Sequence, residues 1–129
     1  LNYKKQEMDE KQITFTLKID LYENPMEEAD LGVVLGNLLD NAIAAASQCE
    51  TGKRKIVLCL RNVNQMFLLK MKNSSARSPI QEKGKFITSK ENKNAHGLGV
   101  ENVRRIVEKY GGDIEFQYES EQFEVNICI

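Results

Sequence analysis

Apolar and polar residues alternate over five short segments of the chain, which is the pattern of strands that turn one face to a core. In the first segment, residues 12–21, the apolar positions are Ile13, Phe15, Leu17 and Ile19. The other segments are residues 55–60, 66–71, 113–119 and 122–129. Because every segment alternates, we predict half-buried strands in a sheet that is covered on one side.

Two further segments have the spacing of helices. The apolar run of residues 31–46 contains no proline and predicts a long buried helix that ends near Gln48. A second apolar stripe predicts a helix from about Leu98 to Tyr110, which Gly111-Gly112 would end because glycine readily adopts the left-handed conformation of helix ends.

The order of these segments predicts the fold. It is strand, helix, strand, strand, long loop, helix, strand, strand, and residues 61–65 and 119–121 have the polar composition of hairpin turns. Two substantial helices are available to cover the apolar face of the sheet. We therefore predict an α+β two-layer sandwich, in which helices cover one face of a mixed, mostly antiparallel sheet.

Length and composition place these elements in one domain. The 129 residues suffice for a core without disulfides, and residues 12–129 carry all the predicted elements. Residues 1–11 are polar and compatible with a helix, so they are either the end of a helix that continues from upstream or a flexible lead-in. Because the chain begins at Leu1, we expect it to be part of a longer protein.

Charge and cysteine content exclude several classes of function. The net charge of −1 argues against binding of nucleic acid through bulk electrostatics. The three cysteines have neither CxxC spacing nor a histidine at metal-ligand spacing, and they predict small buried thiols in a reducing compartment. We expect no membrane-spanning segment, because the apolar run of residues 31–46 is short and interrupted by polar residues.

The predicted buried helix carries three polar side chains on one face. Successive helical residues turn by about 100°, so Asn37 and Asn41 lie about 40° apart, and Asp40 falls on the same side. A buried polar group without a partner costs about 1–3 kcal/mol. This stripe is therefore either a polar network satisfied within the core or one wall of an oxygen-lined site for a cation and a ligand.

A long polar segment and a glycine motif precede the second helix. Residues 73–95 contain more lysine than acidic residues, which is typical either of a solvated loop or of a lid over an anion. Gly97-Leu98-Gly99 would open the predicted helix, where free N–H groups and the helix dipole favour phosphate. The motif lacks the third glycine of a dinucleotide-binding fingerprint, and the chain has no P-loop.

Two motifs together resemble the GHKL ATPase superfamily, which includes histidine kinases, type II topoisomerases, heat-shock chaperone ATPases and mismatch-repair ATPases. They are Asn-Leu-Leu-Asp-Asn-Ala at residues 37–42 and His-Gly-Leu-Gly-Val at residues 96–100. The resemblance extends over residues 12–129 and implies the Bergerat fold. Thr88-Ser89-Lys90 and Tyr110-Gly111-Gly112 are similar to the ATP-binding domain of AgrC-type sensor kinases, the peptide-pheromone receptors of Gram-positive bacteria.

The resemblance implies a site for ATP and Mg²⁺. Asn41 would be the main Mg²⁺ ligand, and Asn37 would lie beside the phosphates or a metal-bound water. Relatives that hydrolyse ATP have a glutamate base at the position of Asn37. Because an amide cannot accept a proton, the resemblance implies phosphotransfer rather than hydrolysis. Asp40 belongs to the same motif, without an assigned role.

The resemblance also implies a lid over about residues 73–96. Gly97 and Gly99 would let the end of this lid enclose the triphosphate. The backbone N–H groups of Leu98 and Val100 would lie near the phosphates.

Two positions depart from the pattern of the superfamily. Asn73-Ser74-Ser75-Ala76 stands where relatives have Asp-x-Gly-x-Gly, so Asn73 would hold adenine through a neutral amide. Ala44 stands where many histidine kinases have a lysine or arginine. Lys90 is the lid residue that we expect to contact phosphate, and it would compensate for this loss. Both departures lead us to expect modest affinity for ATP.

These features imply the ATP-binding catalytic domain of a sensor histidine kinase. It would donate the γ-phosphate of ATP to a histidine on an upstream dimerisation helix outside this chain, in two-component signalling of the peptide quorum-sensing type. Its partners would be those upstream helices and a response regulator, and no nucleic acid. We expect a monomeric domain on the cytoplasmic side of a bacterial cell membrane, attached to the membrane through upstream segments.

Two other functions remain open. The first is a degenerate domain that no longer binds nucleotide and serves as an interaction module, and the second is an anti-sigma-type serine kinase. His96, the single histidine, is expected to be structural or to face the nucleotide, because the phosphoacceptor of the family lies on an upstream helix.

Overall fold

The computed structural model describes residues 2–76, 80–82, 85–87 and 93–129. Five strands form one sheet in the order β1-β2-β3-β7-β6, and β4 pairs with β5 in a separate hairpin. Strand β1 is parallel to β2, and the other pairs are antiparallel. The elements are α1 (Asn2–Glu10), β1 (Thr14–Asp20), α2 (Glu28–Ser47), β2 (Lys55–Val63), β3 (Met66–Ser74), β4 (Ile80–Glu82), β5 (Lys85–Ile87), α3 (Lys93–Lys109), β6 (Asp113–Glu119) and β7 (Gln122–Cys128).

The core lies between the sheet and its helices. Alternate positions of β2 and β3 are buried, and their neighbours are half-buried or exposed on the other face of the sheet. Helices α2 and α3 pack against each other and against the buried side. This arrangement confirms the predicted α+β two-layer sandwich. The fully buried side chains include Leu39, Ile43, Val103 and Val107 from the helices and Ile56, Leu58, Phe67, Leu69 and Met71 from the sheet.

Two hairpins end in tight two-residue turns. Asn64 and Gln65 have φ angles of 51° and 69°, and Ser120 and Glu121 have φ angles of 52° and 60°. Turns with two positive φ angles match the twist of the flanking strands. The second turn confirms the prediction. The first prediction was too long, because residues 61–63 pair with β3 rather than forming part of the turn.

Strand β1 corrects the prediction of a half-buried strand along its whole length. Ile13 is buried just before the strand and Phe15 is half-buried, but Leu17 and Ile19 are 41% and 59% exposed. The reason is position, because β1 is an edge strand that pairs only with β2 in the five-stranded sheet. Alternation in the sequence does not reveal how far the helical layer extends over an edge.

Helix α1 covers most of residues 1–11, and its continuation from an upstream helix stays a prediction. Residues 2–10 are helical, and Met8 is 1% exposed within the core. The sheet is thus covered by three helices rather than by the two that the sequence pattern suggested. This segment is a packed part of the domain and not a flexible lead-in.

Helix α2 has almost the predicted bounds, with Glu28 and Asp30 in its first turn. Its 20 residues are long and apolar enough to cross a membrane by length and composition alone, which corrects our expectation about this segment. In the structure, however, its apolar face packs against the sheet. Seven of its side chains are buried: Val34, Leu35, Leu38, Leu39, Ala42, Ile43 and Ala46.

The described residues of the predicted long loop include secondary structure. Strand β3 extends to Ser74, and the short antiparallel hairpin of β4 and β5 follows. Helix α3 begins at Lys93, five residues before the predicted start, and β5 lies beside it. Gly111, with a φ angle of 73°, ends α3 as predicted.

The three cysteines are free thiols. All three are half-buried, where we predicted buried thiols. Cys59 and Cys128 lie on the open face of the sheet, which explains their partial exposure, because the described helices cover the opposite face.

Candidate functional site

The three polar residues of α2 face one cavity. Asn37, Asp40 and Asn41 line this cavity of about 460 Å³ together with Gly99 of α3. Helix α2 presents them there because its opposite face is buried against the sheet. Asn37 and Asn41 are half-buried, and Asp40 is exposed. The stripe is therefore the wall of an accessible cavity, and not a polar network sealed within the core.

The two asparagines bring hydrogen-bonding capacity to this cavity. Within the described part of the chain, neither the Asn37 nor the Asn41 amide has a hydrogen-bond partner. Each amide offers an oxygen acceptor and two N–H donors. Amide oxygens are also ligands that Mg²⁺ accepts, usually in a shell completed by phosphate and water. The donor set of the cavity thus fits a phosphate with its divalent cation.

Gly99 lets α3 approach Asn37 closely. A methyl group at Gly99 would lie 3.2 Å from Asn37 Oδ1, tighter than an ordinary van der Waals contact, and 3.5 Å from its Cγ. The absence of a side chain at this position therefore serves the contact between α2 and α3 at the cavity. Val100 follows, and it is 8% exposed.

The early start of α3 corrects one expectation about the glycine motif. The N–H groups of the N-cap and of the next three residues of a helix lack intrahelical partners, and in α3 they include those of residues 93–95. Leu98 and Val100 lie further inside, where their N–H groups are committed to the helix. His96 and Gly97 belong to the same first turns of α3. Lys90 lies outside the described residues.

Asn73 lies apart from this cavity, at the end of β3. Its side chain is 5% exposed and lies on the core side of the strand. The amide nitrogen donates a hydrogen bond to the Ser74 carbonyl oxygen at 2.9 Å. Ser75, 6% exposed, follows directly. Asn73 and Ser75 are the two buried polar residues among the described side chains, so the end of β3 is polar where the rest of the core is apolar.

Sequence reasoning missed the contribution of α1 to the cavity. Glu7 and Lys11 are among its lining residues, and Lys4 forms an ion pair with Asp40. Lys11 pairs with Glu7 at 2.9 Å. The sequence does contain a signal for this contribution, because the spacing of Lys4, Met8 and Lys11 would place them on one face of a helix.

A polar cluster fixes the start of α2 against the end of α3. The Tyr110 hydroxyl donates to Asp30 at 2.5 Å and accepts from the Glu27 backbone N–H at 3.0 Å. Lys109 pairs with Asp30 at 2.9 Å. The hydrogen bonds from Lys109 and Tyr110 lower the pKa of Asp30, and the hydrogen bond to Asp30 raises the pKa of Lys109 and of Tyr110. The cluster joins the two helices that carry Asn37 and Gly99.

Residues 26–129 match the profile of the GHKL domain family, and this range contains α2, the end of β3 and α3. The chain belongs to the GHKL domain family. A GHKL domain implies ATP binding, which agrees with the donor set of the cavity. No curated protein sequence matches the chain.

Solved structures share the fold of this GHKL domain. The catalytic domain of the histidine kinase ThkA has a TM-score of 0.75 at 23% identity, over 99% of this chain and 85% of that chain. The Acinetobacter baumannii histidine kinase AdeS has a TM-score of 0.68 at 21% identity and matches all of this chain, which spans 59% of its length. The mycobacterial sensor histidine kinase MprB has a TM-score of 0.70 at 15% identity, over 99% of this chain and 93% of that chain. The chain has the α+β fold of histidine kinase catalytic domains.

Proposed function

We propose that this GHKL domain is the ATP-binding catalytic domain of a sensor histidine kinase. It binds Mg-ATP in the cavity between α2 and α3 and presents the γ-phosphate to a histidine of a dimerisation helix outside the chain. The observation that carries the proposal is the meeting of Asn37 and Asn41 with Gly99 around one accessible cavity. Membership of the GHKL domain family and the fold of histidine kinase catalytic domains support it.

Asn41 and Asn37 have different tasks in this proposal. Asn41 would supply an amide oxygen to Mg²⁺, and the phosphates would balance the charge of the metal because the amide is neutral. Asn37 would donate to a phosphate oxygen. Neither amide can accept a proton at neutral pH, so neither Asn37 nor Asn41 can act as the general base that would activate water. This chemistry favours transfer of the phosphoryl group over its hydrolysis.

Asn73 is the proposed adenine contact. Its amide nitrogen is used by the Ser74 carbonyl oxygen, and its amide oxygen has no partner among the described residues, so the oxygen can accept from an exocyclic amino group. The contact is between neutral groups, and a neutral hydrogen bond contributes only about 0.5–1.5 kcal/mol. We therefore expect modest affinity for ATP.

The wider setting is part of the proposal. The phosphoacceptor helix, a response regulator and a membrane anchor upstream of the chain would complete a two-component system of the peptide quorum-sensing type in a bacterial cell. The chain spans 59% of the AdeS structure, so other segments of a kinase lie outside the matched region in that protein. Thr88-Ser89-Lys90 and Tyr110-Gly111-Gly112 support the pheromone-receptor subtype through their similarity to AgrC-type kinases.

Titration of the chain with ATP, with and without Mg²⁺, tests the central claim. We expect binding that Mg²⁺ strengthens, and we expect Asn41→Ala to abolish this strengthening while the domain stays folded. Gln48→Ala is a matched control at an exposed polar residue that does not line the cavity. A folded protein that binds no nucleotide at millimolar concentration would overturn the proposal in favour of an interaction module.

Phosphotransfer distinguishes the two kinase functions. The chain is incubated with Mg-ATP and the dimerisation helices of the full protein, and the phosphorylated residue is identified by its stability to acid and base. Acid-labile, base-stable phosphate on a histidine is the expected result. Acid-stable phosphate on a serine would identify a serine kinase of the anti-sigma type instead.

A further inference from the structure

The N-terminal helix α1 is anchored beside the candidate nucleotide site. Met8 is 1% exposed in the core, and the Ile13 backbone N–H donates to the Met8 carbonyl oxygen at 2.8 Å. Arg54 donates to the carbonyl oxygens of Lys11 at 2.8 Å and of Cys49 at 2.9 Å. These contacts join the end of α1 to the end of α2. The position of Lys11 at the cavity is therefore fixed by the fold.

The charges around the cavity come from α1 and from Asp40. Among the described residues that line the cavity, Glu7 and Asp40 are negatively charged and Lys11 is the one positively charged residue. Helix α2 contributes no lysine or arginine to the cavity, and Ala44 lines the cavity beside Asn41. The phosphates of a nucleotide would thus meet two carboxylates, and like charges at short range repel each other.

Lys4 of α1 and Lys11, the residue that follows α1, offset these carboxylates. Lys11 pairs with Glu7 at 2.9 Å, and Lys4 pairs with Asp40. The four side chains together are neutral, whereas the cavity without the lysines would carry two uncompensated negative charges. Lys4 and Lys11 are therefore the described side chains that balance the negative charge at the cavity.

We propose that Lys11 is a phosphate-binding residue and that α1 forms part of the nucleotide site. The inference rests on the proposed function, because it takes Mg-ATP as the ligand. An ammonium group has three donors, so Lys11 can donate to a phosphate oxygen while it keeps its bond to Glu7. Lys4 neutralises Asp40 at the same wall. Lys11 thus supplies the positively charged side chain that α2 lacks at the position of Ala44.

Variants of Lys11 and of Lys5 test this proposal. Lys11→Gln removes the charge at the cavity, and Lys5→Gln removes an equivalent charge from an i,i+4 pair with Asp9 that does not line the cavity. The full chain is titrated with Mg-ATP and with adenosine. We expect Lys11→Gln to weaken Mg-ATP binding about three- to tenfold, as for the loss of a partly exposed charge-assisted hydrogen bond. Adenosine binding stays unchanged in both variants, and Lys11→Arg retains most of the affinity for Mg-ATP.

Protection from acetylation provides a second measurement, without a substitution. Mg-ATP should slow the acetylation of Lys11 in the unsubstituted protein, followed by mass spectrometry, and should leave the rate at Lys5 unchanged. Equal Mg-ATP affinity of Lys11→Gln and the unsubstituted protein, or unprotected Lys11, overturns this proposal alone. Failure of the unsubstituted protein to bind Mg-ATP overturns the proposed function and this proposal with it.

Discussion

Gly99→Ala separates the stability of the domain from its affinity for nucleotide. Replacing glycine by alanine in a helix interior stabilises by about 0.5–1 kcal/mol, because alanine loses less conformational freedom on folding. The new methyl group would lie 3.2 Å from Asn37 Oδ1, so the amide must move by a few tenths of an ångström. Forcing a side chain off its rotamer costs about 0.5–1.5 kcal/mol. The two terms nearly cancel, and the free energy of unfolding should change by less than about 1 kcal/mol.

The affinity for Mg-ATP should nevertheless fall. Asn37 would no longer hold the orientation in which its amide meets the ligand, and the loss of one hydrogen bond to a charged group, about 1.5 kcal/mol, corresponds to about tenfold in Kd. Urea unfolding and Mg-ATP titration of the same protein measure the two quantities separately.

Gly32→Ala is the control for this experiment. It is a helical glycine of α2 with no atom within 4 Å of the added methyl group, so it should stabilise by about 0.5–1 kcal/mol and leave affinity unchanged. Unchanged Mg-ATP affinity in Gly99→Ala would refute the role of the close contact between α3 and Asn37. A loss of more than about 3 kcal/mol in stability would show that the helices cannot adjust, contrary to this reasoning.

Three further predictions concern the scaffold. Gly112→Ala should destabilise by about 1–3 kcal/mol in urea unfolding, because its methyl group would lie 2.5 Å from the Cys128 carbonyl oxygen, a backbone atom that cannot rotate away. Leu39→Ala should cost about 2–5 kcal/mol in the same assay, since Leu39 is 0% exposed, and a smaller cost would contradict its place in the core. The lowered pKa of Asp30 predicts stability that is present above pH 3.8 and is lost as the pH falls through the folded-state pKa. Asp30→Asn should remove part of this acid sensitivity in thermal melts between pH 2 and 5, and an identical pH profile would refute the role of the carboxylate.

The wall of the site on α2 could be predicted from the sequence because it is local. Asn37, Asp40 and Asn41 lie within five positions of one helix, and helical periodicity alone places them on one face. The apolar positions of the same helix determine which face is buried, so the polar stripe must point away from the sheet. The order of elements along the chain and the two-layer fold could be predicted for a similar reason, since alternation and turn residues report on the nearest neighbours along the chain.

The part of the site on α3 was predicted less well. The glycine motif was correctly associated with the helix, but the helix begins at Lys93, and no strong signal in the sequence marks that start. Residues 93–97 are polar or small, so periodicity cannot distinguish the first turns of a helix from a loop. The contact between Gly99 and Asn37 depends on how two helices pack, and no pattern within either helix contains that distance.

Periodicity and motifs in the sequence were enough to predict the class of fold, the face of α2 that carries Asn37, Asp40 and Asn41, and the resemblance to GHKL domains. Which elements meet at that face depends on the packing of the folded chain. It placed α1 at the cavity, paired Lys4 with Asp40, and left Leu17 and Ile19 exposed at a sheet edge. The physical reason is that periodicity records which side of an element avoids water, whereas the packing of distant elements decides which charges and side chains share one cavity.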